Sequence, residues 1–284
     1  MNQRFWIPGQ AGNDNTKIFI HFFSSFPIKF NDSSNEVIHH FLLKNKPMYF
    51  ATAKEMQFLD KIAIENGLSA MQMMEMSGWH ILPLINSMSI SKKSHIVVVC
   101  GTGNKGGDGL CAARHLLNHG FRTSIILMSK NITSEAKHHL DLLEKIDANI
   151  LTVKNLEKQE EIEKLINSST LIIDALIGNN LKGAPYGNFA KVIEMINKTK
   201  KNVISYDIPT GIDPTTGECY DPHIRAYATL SLALPKKAFI KNKAKERSGK
   251  IFIADIGIPH FLYERISPNS RPNFGQVNTF FAPI

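Results

Sequence analysis

A chain of 284 residues with 43% hydrophobic and 20% charged side chains has the composition of an ordinary globular protein, long enough for one large α/β domain with an extension or two small domains. Its three cysteines, Cys100, Cys111 and Cys219, are odd in number and lack metal-ligand spacing, which argues against a disulfide scaffold or a zinc module and predicts reduced thiols in an intracellular compartment. The net charge of +8 invites a nucleic-acid reading, but the lysines are scattered as singles and pairs, and the densest run, Lys236 to Lys250, reads as a solvated face; no apolar run reaches membrane-spanning length.

Residues 1–48 stand apart from the rest of the chain. Their aromatic-rich piece, Ile18 to Phe30, is broken by His21, two serines and Pro27, which makes it a poor secretory h-region. Arg4, Lys17 and Lys29 against Asp14 suit an organelle leader (mitochondrion or plastid), although arginine is scarce. The segment is expected to be an N-terminal extension, disordered or targeting, with residues 49–284 as the folded domain.

From Tyr49 helical signals begin. Thr52 and Glu55 have capping-box spacing, and Met56, Leu59, Ile62 and Ala63 mark one face before Gly67. A second helix is expected from Ser69, carrying Met71, Met74, Trp79 and Leu82; the methionines read as core packing rather than a cofactor box. These two helices should cover one side of a sheet.

The stretch IVVVCGTGNKGGDGLCAARHLLNHG, Ile96 to Gly120, is a buried strand, a glycine loop and a helix. Asp108 is placed to cap the first turn, Leu110, Ala113, Leu116 and Leu117 recur at helical spacing, and Gly120 stops the run. Such a junction offers backbone N–H groups and a helix N-terminus to a phosphate or ribose. Gly101, Gly103 and Gly106 satisfy GxGxxG, but the next strand, Ser124 to Met128, ends in Ser129, Lys130 and Asn131 rather than the acidic residue a dinucleotide dehydrogenase uses. The lysine and hydroxyl ending of a triphosphatase P-loop is also missing.

The alternation then continues: helix Ser134 to Lys145, strand Asn149 to Val153, helix Gln159 to Asn167, strand Leu171 to Ala175, helix Asn188 to Asn197, strand Val203 to Tyr206, and strands near Thr229 to Leu232 and Ile251 to Ala254. This predicts an α/β three-layer αβα Rossmann-like sandwich with a mostly parallel sheet. Ligands sit outside the carboxyl ends of such strands. Three of those ends carry polar residues in loops rich in glycine or proline: Asn104 with Asp108, Asp174 before GNNLKG, and Asp207 before Pro209, Thr210 and Gly211. Each aspartate alone could be a cap; three on one edge predict a shared site, in which a desolvated carboxylate can act as general acid or base.

The phrases CGTGNKGGDGLCAARHL, DALIGNNLKG, SYDIPTGIDPTTG, LALPKKAF and ADIGIP resemble, in order and spacing, those of the NAD(P)H-hydrate epimerases, the YjeF N-terminal domain family, over about Tyr49 to Pro259. The resemblance implies an isomerase of nicotinamide cofactor repair that interconverts the R and S forms of NADHX and NADPHX at C6. A separate dehydratase would then act on the S form. It implies that Asn104, Lys105, Gly106, Gly107, Asp108, the loop Gly178, Asn179, Asn180, Leu181, Lys182, Gly183 and Ala184, and Asp207 contact substrate, with Asp207 catalytic. It also implies a homodimer, and no membrane or nucleic-acid partner. At 284 residues the chain is too short to carry the dehydratase domain fused in some members. Family members bind a potassium ion at positions matching Lys105, Asp174 and Thr210, the first being asparagine there. Two readings of the departure stay open: the Lys105 ammonium takes the potassium position, or it points to solvent or a ligand phosphate while the ion keeps its backbone ligands. The alternative function is a non-catalytic module of the same fold that dimerises and binds RNA or a protein partner.

Overall fold

The computed structural model describes residues 48–153, 159–274 and 279–281, and every described element belongs to the unit Lys46–Ile284. The expected extension lies, but for Met48, outside the described residues.

Helix α1 (Ala53–Glu65) starts on the Thr52–Glu55 capping box, both halves of which form. Helix α2 (Ala70–Trp79) starts on a second box, Ser69 with Gln72. The expected continuous second helix is interrupted: α3 (Ile81–Ser87) begins afresh after His80, with Pro83, which has no N–H to donate, in its first turn. Then come β1 (His95–Cys100), α4 (Asn104–Asn118), β2 (Arg122–Leu127), α5 (Ser134–Lys145), β3 (Asn149–Thr152), α6 (Gln159–Ser168), β4 (Leu171–Ala175), α7 (Gly187–Lys198) and β5 (Asn202–Tyr206). The last part is β6 (Ala228–Leu232), a 3-10 turn (Lys237–Ile240), α8 (Asn242–Ser248), β7 (Lys250–Ala254), α9 (His260–Tyr263) and β8 (Thr279–Phe281).

The sheet order is β3-β2-β1-β4-β5-β6-β7-β8. The first seven strands are parallel and β8 returns antiparallel to β7. Strands covered on both faces must be apolar throughout, and β1 and β4 are buried along their whole length. Alternate residues feed two cores: Ile96, Val98, Leu171 and Ile173 pack with α1 to α5 on one face, while Val97, Val99, Ile172 and Leu176 pack with α6 and α7 on the other. A smaller cluster around Phe239 joins the 3-10 turn and α8 to β7. The expected αβα sandwich is thus what forms; the antiparallel edge strand is an addition that a three-residue segment gave no signal for. Among the described residues no helix is long and apolar enough to cross a membrane.

Candidate active site

The strand order reverses between β1 and β4, and a crevice opens at such a switch point. Here it holds a cavity of about 380 Å³ between the carboxyl strand ends and the stripe Met56, Asp60 and Ile64 of α1. At its floor the backbones of β1 and β4 nearly touch. A Cβ on Gly101 would lie 1.8 Å from the Leu176 carbonyl oxygen, so no larger residue fits. The glycine loop itself is shorter than expected. Helix α4 begins at Asn104 on the backbone of Gly103, with no side-chain cap. Asp108 is therefore not a first-turn cap but sits in the second turn, facing the cavity. Gly107 and Gly109 are helical residues that let α4 lie on its neighbours: a Cβ would strike Met74 from Gly107, and Ala175 from Gly109.

Asp174, at the end of β4, is wholly buried. Its Oδ1 accepts from the Leu176 N–H (3.1 Å) and the Thr210 hydroxyl (2.6 Å), and its Oδ2 from the Ser205 hydroxyl (2.8 Å), the Thr210 N–H (2.9 Å) and the Lys105 ammonium (3.1 Å). Lys105 Nζ also donates to the carbonyls of Ile208 (2.7 Å) and Ile177 (3.1 Å) and to Thr210 Oγ1 (3.1 Å). Desolvation pulls the pKa of this lysine below its usual value, and Asp174, then Asp207 and Asp108, push it back up. A lysine in the first turn of a helix opposes the macrodipole; folding the side chain away from the helix onto Asp174 offsets that. Of the two readings of Lys105, the side chain adopts the inward one. A potassium ion does not fit beside it: four oxygens suited to a cation already surround Nζ. A second unit charge about 3 Å away would be repelled by about 5 kcal/mol at an effective dielectric of 20.

Asp207, just beyond β5, is 6% exposed and has φ +61°. The Ile208 N–H donates across it to the Tyr206 carbonyl at 2.7 Å, which makes the strained, positive-φ form of a γ-turn. The same turn recurs beyond β6, with Ala233 at φ +59° and the Leu234 N–H donating to the Leu232 carbonyl at 2.7 Å. The paired turns build a second lysine cage. Lys236, with no exposed surface, pairs with Asp207 Oδ1 at 2.5 Å and donates to Leu234 O (2.9 Å), Leu232 O (3.1 Å) and Ser231 Oγ (3.2 Å). Ala51 fixes its backbone, through Ala51 N–H to Pro235 O and Lys237 N–H to Ala51 O, each 2.8 Å. The expected solvated face at Lys236 to Lys250 is thus corrected at its first residue. Only fold closure brings this lysine under Asp207.

Two further carboxyls line the same cavity. Desolvation first, then Asp207, pushes the Asp60 carboxyl up to about 6 against the pull of Lys236. Burial likewise raises Asp108 well above the ordinary carboxylate range. The cavity therefore combines an aspartate paired to a lysine with two carboxyls biased toward their neutral forms.

Of the residues singled out in the sequence, Asn104, Lys105, Asp108, Gly178, Asn179, Asn180 and Asp207 line the cavity together. Gly106 and Gly107 are buried against Gly101 and Met74 instead, and Leu181, Lys182, Gly183 and Ala184 lie outside the cavity lining. Asp174 and Thr210 sit behind it and hold Lys105. Asn180 Oδ1 accepts from Gln57 Nε2 of α1 at 3.0 Å, joining the loop to the opposite wall. Asp60, Gln57 and Lys236 were not anticipated. A weak signal existed: Met56, Asp60 and Ile64 recur at four-residue spacing, with a carboxylate on an otherwise apolar stripe. Away from this cavity, ligand atoms of Glu75, Cys111 and His139 lie within 4.8 Å of one another, but Arg114 Nη2 already holds both Glu75 oxygens at 2.5 and 2.6 Å, and a guanidinium there repels a cation.

The fold and cleft define a doubly wound α/β protein with a charged cavity at its switch point. The family described as YjeF-related protein N-terminus matches residues 70–238, and this chain belongs to that family. It is 33% identical over 218 residues to the NAD(P)H-hydrate epimerase of Dehalogenimonas lykanthroporepellens, covering 75% of this chain and 84% of that protein. It is 32% identical over 208 residues to the one of Lentilactobacillus buchneri, covering 73% and 94%. The bifunctional NAD(P)H-hydrate repair enzyme Nnr of Moorella thermoacetica is 34% identical over 220 residues, 76% of this chain, which spans only 42% of that longer protein. The crystal structure of yeast ynu0 superposes with a TM-score of 0.73 at 21% identity, over 83% of this chain and 100% of that one, and shows the same fold.

Proposed function

We propose that this chain is an NAD(P)H-hydrate epimerase, an isomerase that inverts C6 of NADHX and NADPHX. The observation that carries the reading is the cavity at the switch point, where a lysine-paired Asp207 and the carboxyls Asp60 and Asp108, both raised by burial above the ordinary carboxylate range, share one small space. Epimerising a ring carbon that bears both a hydroxyl and the ring nitrogen needs an acid and a base, and no redox step. Carboxyls whose environments separate their proton affinities are suited to those two parts.

Asp60, held toward its protonated form, gives its proton to the C6 hydroxyl, which leaves as water while the nitrogen lone pair forms the C6 iminium. Water then adds to the opposite face of the planar carbon, and a carboxylate takes the surplus proton. Asp207, fixed by Lys236 and its turn, accepts that proton and releases it to solvent, from which Asp60 takes back the proton that it gave. The open face of Gly103, where a Cβ would meet nothing within 4 Å, and the first N–H groups of α4 suit a phosphate or ribose of the substrate.

The partners in this reading are a separate dehydratase acting on the S form and a second copy of the chain in a homodimer. The test is conversion of R-NADPHX to the S form, followed by a coupled dehydratase. Wild type should be active, and Asp207→Asn should lose about a hundredfold or more. Wild-type protein that is inactive, yet is protected thermally by RNA and not by the hydrates, would replace the enzyme with the binding-module reading.

A further inference from the structure

We infer that the Lys105 ammonium is a built-in cation that takes the place of the family's potassium ion, so that this chain assembles its cleft without one. This rests on the family reading for the ion and on the geometry for its replacement.

The cage is made by two separate stretches of chain. Asp174 ends β4, Ile177 belongs to the loop after it, and Ile208 and Thr210 follow β5. All four supply oxygens that face one point, and Lys105 Nζ stands there at 2.7 to 3.1 Å from each. A buried carboxylate, two carbonyls and a hydroxyl oxygen converging on one point suit a cation, whose charge offsets that of the carboxylate. Gly178 lies over Lys105, where a Cβ would touch its Cβ and Cδ at 3.4 Å. Covalent attachment also changes what the cation does. The first turn of α4, which carries the cavity residue Asn104 and leads into Asp108, is now tied directly to the ends of β4 and β5. The local charge is therefore supplied without any dependence on ion concentration. Lys105 acts in this as a positioning residue.

The test compares wild type with Lys105→Asn in potassium and in tetramethylammonium buffers of equal ionic strength, reading melting temperature and epimerase rate separately. Wild type should give the same melting temperature and the same rate, within about twofold, in both buffers, and should show no saturable binding of thallium(I), a potassium surrogate. Lys105→Asn should melt roughly 6–20 °C lower without potassium, should regain part of that loss as potassium is added, and should regain rate over the same range. A wild-type melting temperature that climbs with potassium, or saturable thallium(I) binding by wild type, overturns the inference. So does a Lys105→Asn variant as stable as wild type in both buffers. If that variant does not fold, the wild-type titrations decide alone. Melting and thallium(I) binding need no substrate, so they decide the role of Lys105 even if the epimerase reading fails.

Discussion

Replacing Lys236 with methionine keeps nearly the length of the side chain and removes its charge, which isolates what the buried ammonium does for Asp207. The substitution deletes an ion pair at 2.5 Å and three hydrogen bonds of 2.9 to 3.2 Å. At an effective dielectric of 20, the pair attraction is about 7 kcal/mol. Recovering the desolvation of the lysine offsets part of this, and the net loss for breaking a buried pair is about 3–5 kcal/mol. For a domain of this size that lowers the melting temperature by roughly 6–20 °C. Urea denaturation of wild type, Lys236→Met, Asp207→Asn and the double variant measures it. The double variant should fall short of the sum of the single losses by at least about 1.5 kcal/mol, because once one partner is gone the other has no charge to satisfy. A single-variant loss under about 1 kcal/mol, or losses that simply add, would refute the buried pair as the support of Asp207.

Asp60→Asn tests the acid. Its carboxyl is raised to about 6 in the fold from an ordinary 3.8, so its contribution to stability is fully present below pH 4 and is lost as pH rises through 6. The asparagine variant should therefore gain about 2–3 kcal/mol on wild type in denaturation at pH 7 relative to pH 4, while its rate falls by about a hundredfold. The wild-type kcat/KM should decline above about pH 6, and the variant should lack that limb; a variant both slower and less stable at pH 7 would contradict the assignment. At the cleft floor, Gly101→Ala must move backbone, since its Cβ meets a carbonyl oxygen at 1.8 Å, and it should lose about 3 kcal/mol or more or fail to accumulate as folded protein. Gly103→Ala, two residues on and facing open space, should cost only about 1 kcal/mol, the difference between the two residues as a helix cap. Comparable stability losses from these two alanines, read by thermal melting, would contradict the close approach.

The layer structure was legible in the sequence because it depends on local patterns. Apolar runs such as Val97 to Val99 bury both faces, capping residues such as Thr52 with Glu55 start helices, and each αβ alternation implies a parallel crossover. The strand-end residues Asp174 and Asp207 stood out for the same reason, a carboxylate closing an apolar run, and the family phrases marked the edge on which they meet. The lysine at 105 was visible as a departure, but its direction was not, because a side chain with four rotatable bonds can reach solvent or the core from the same helical position. The missed residues have a common cause. Lys236 sits among lysines that composition cannot tell apart, and only the closing of β6 and the pinning of its backbone by Ala51 carry it beneath Asp207. Asp60 looks like an ordinary helix carboxylate until α1 is laid across the strand ends nearly 150 residues further on. Sequence periodicity thus determined which elements form and which strand ends are polar. Tertiary packing decided which charges are buried together, because desolvation and pairing depend on distances between segments that no local pattern encodes.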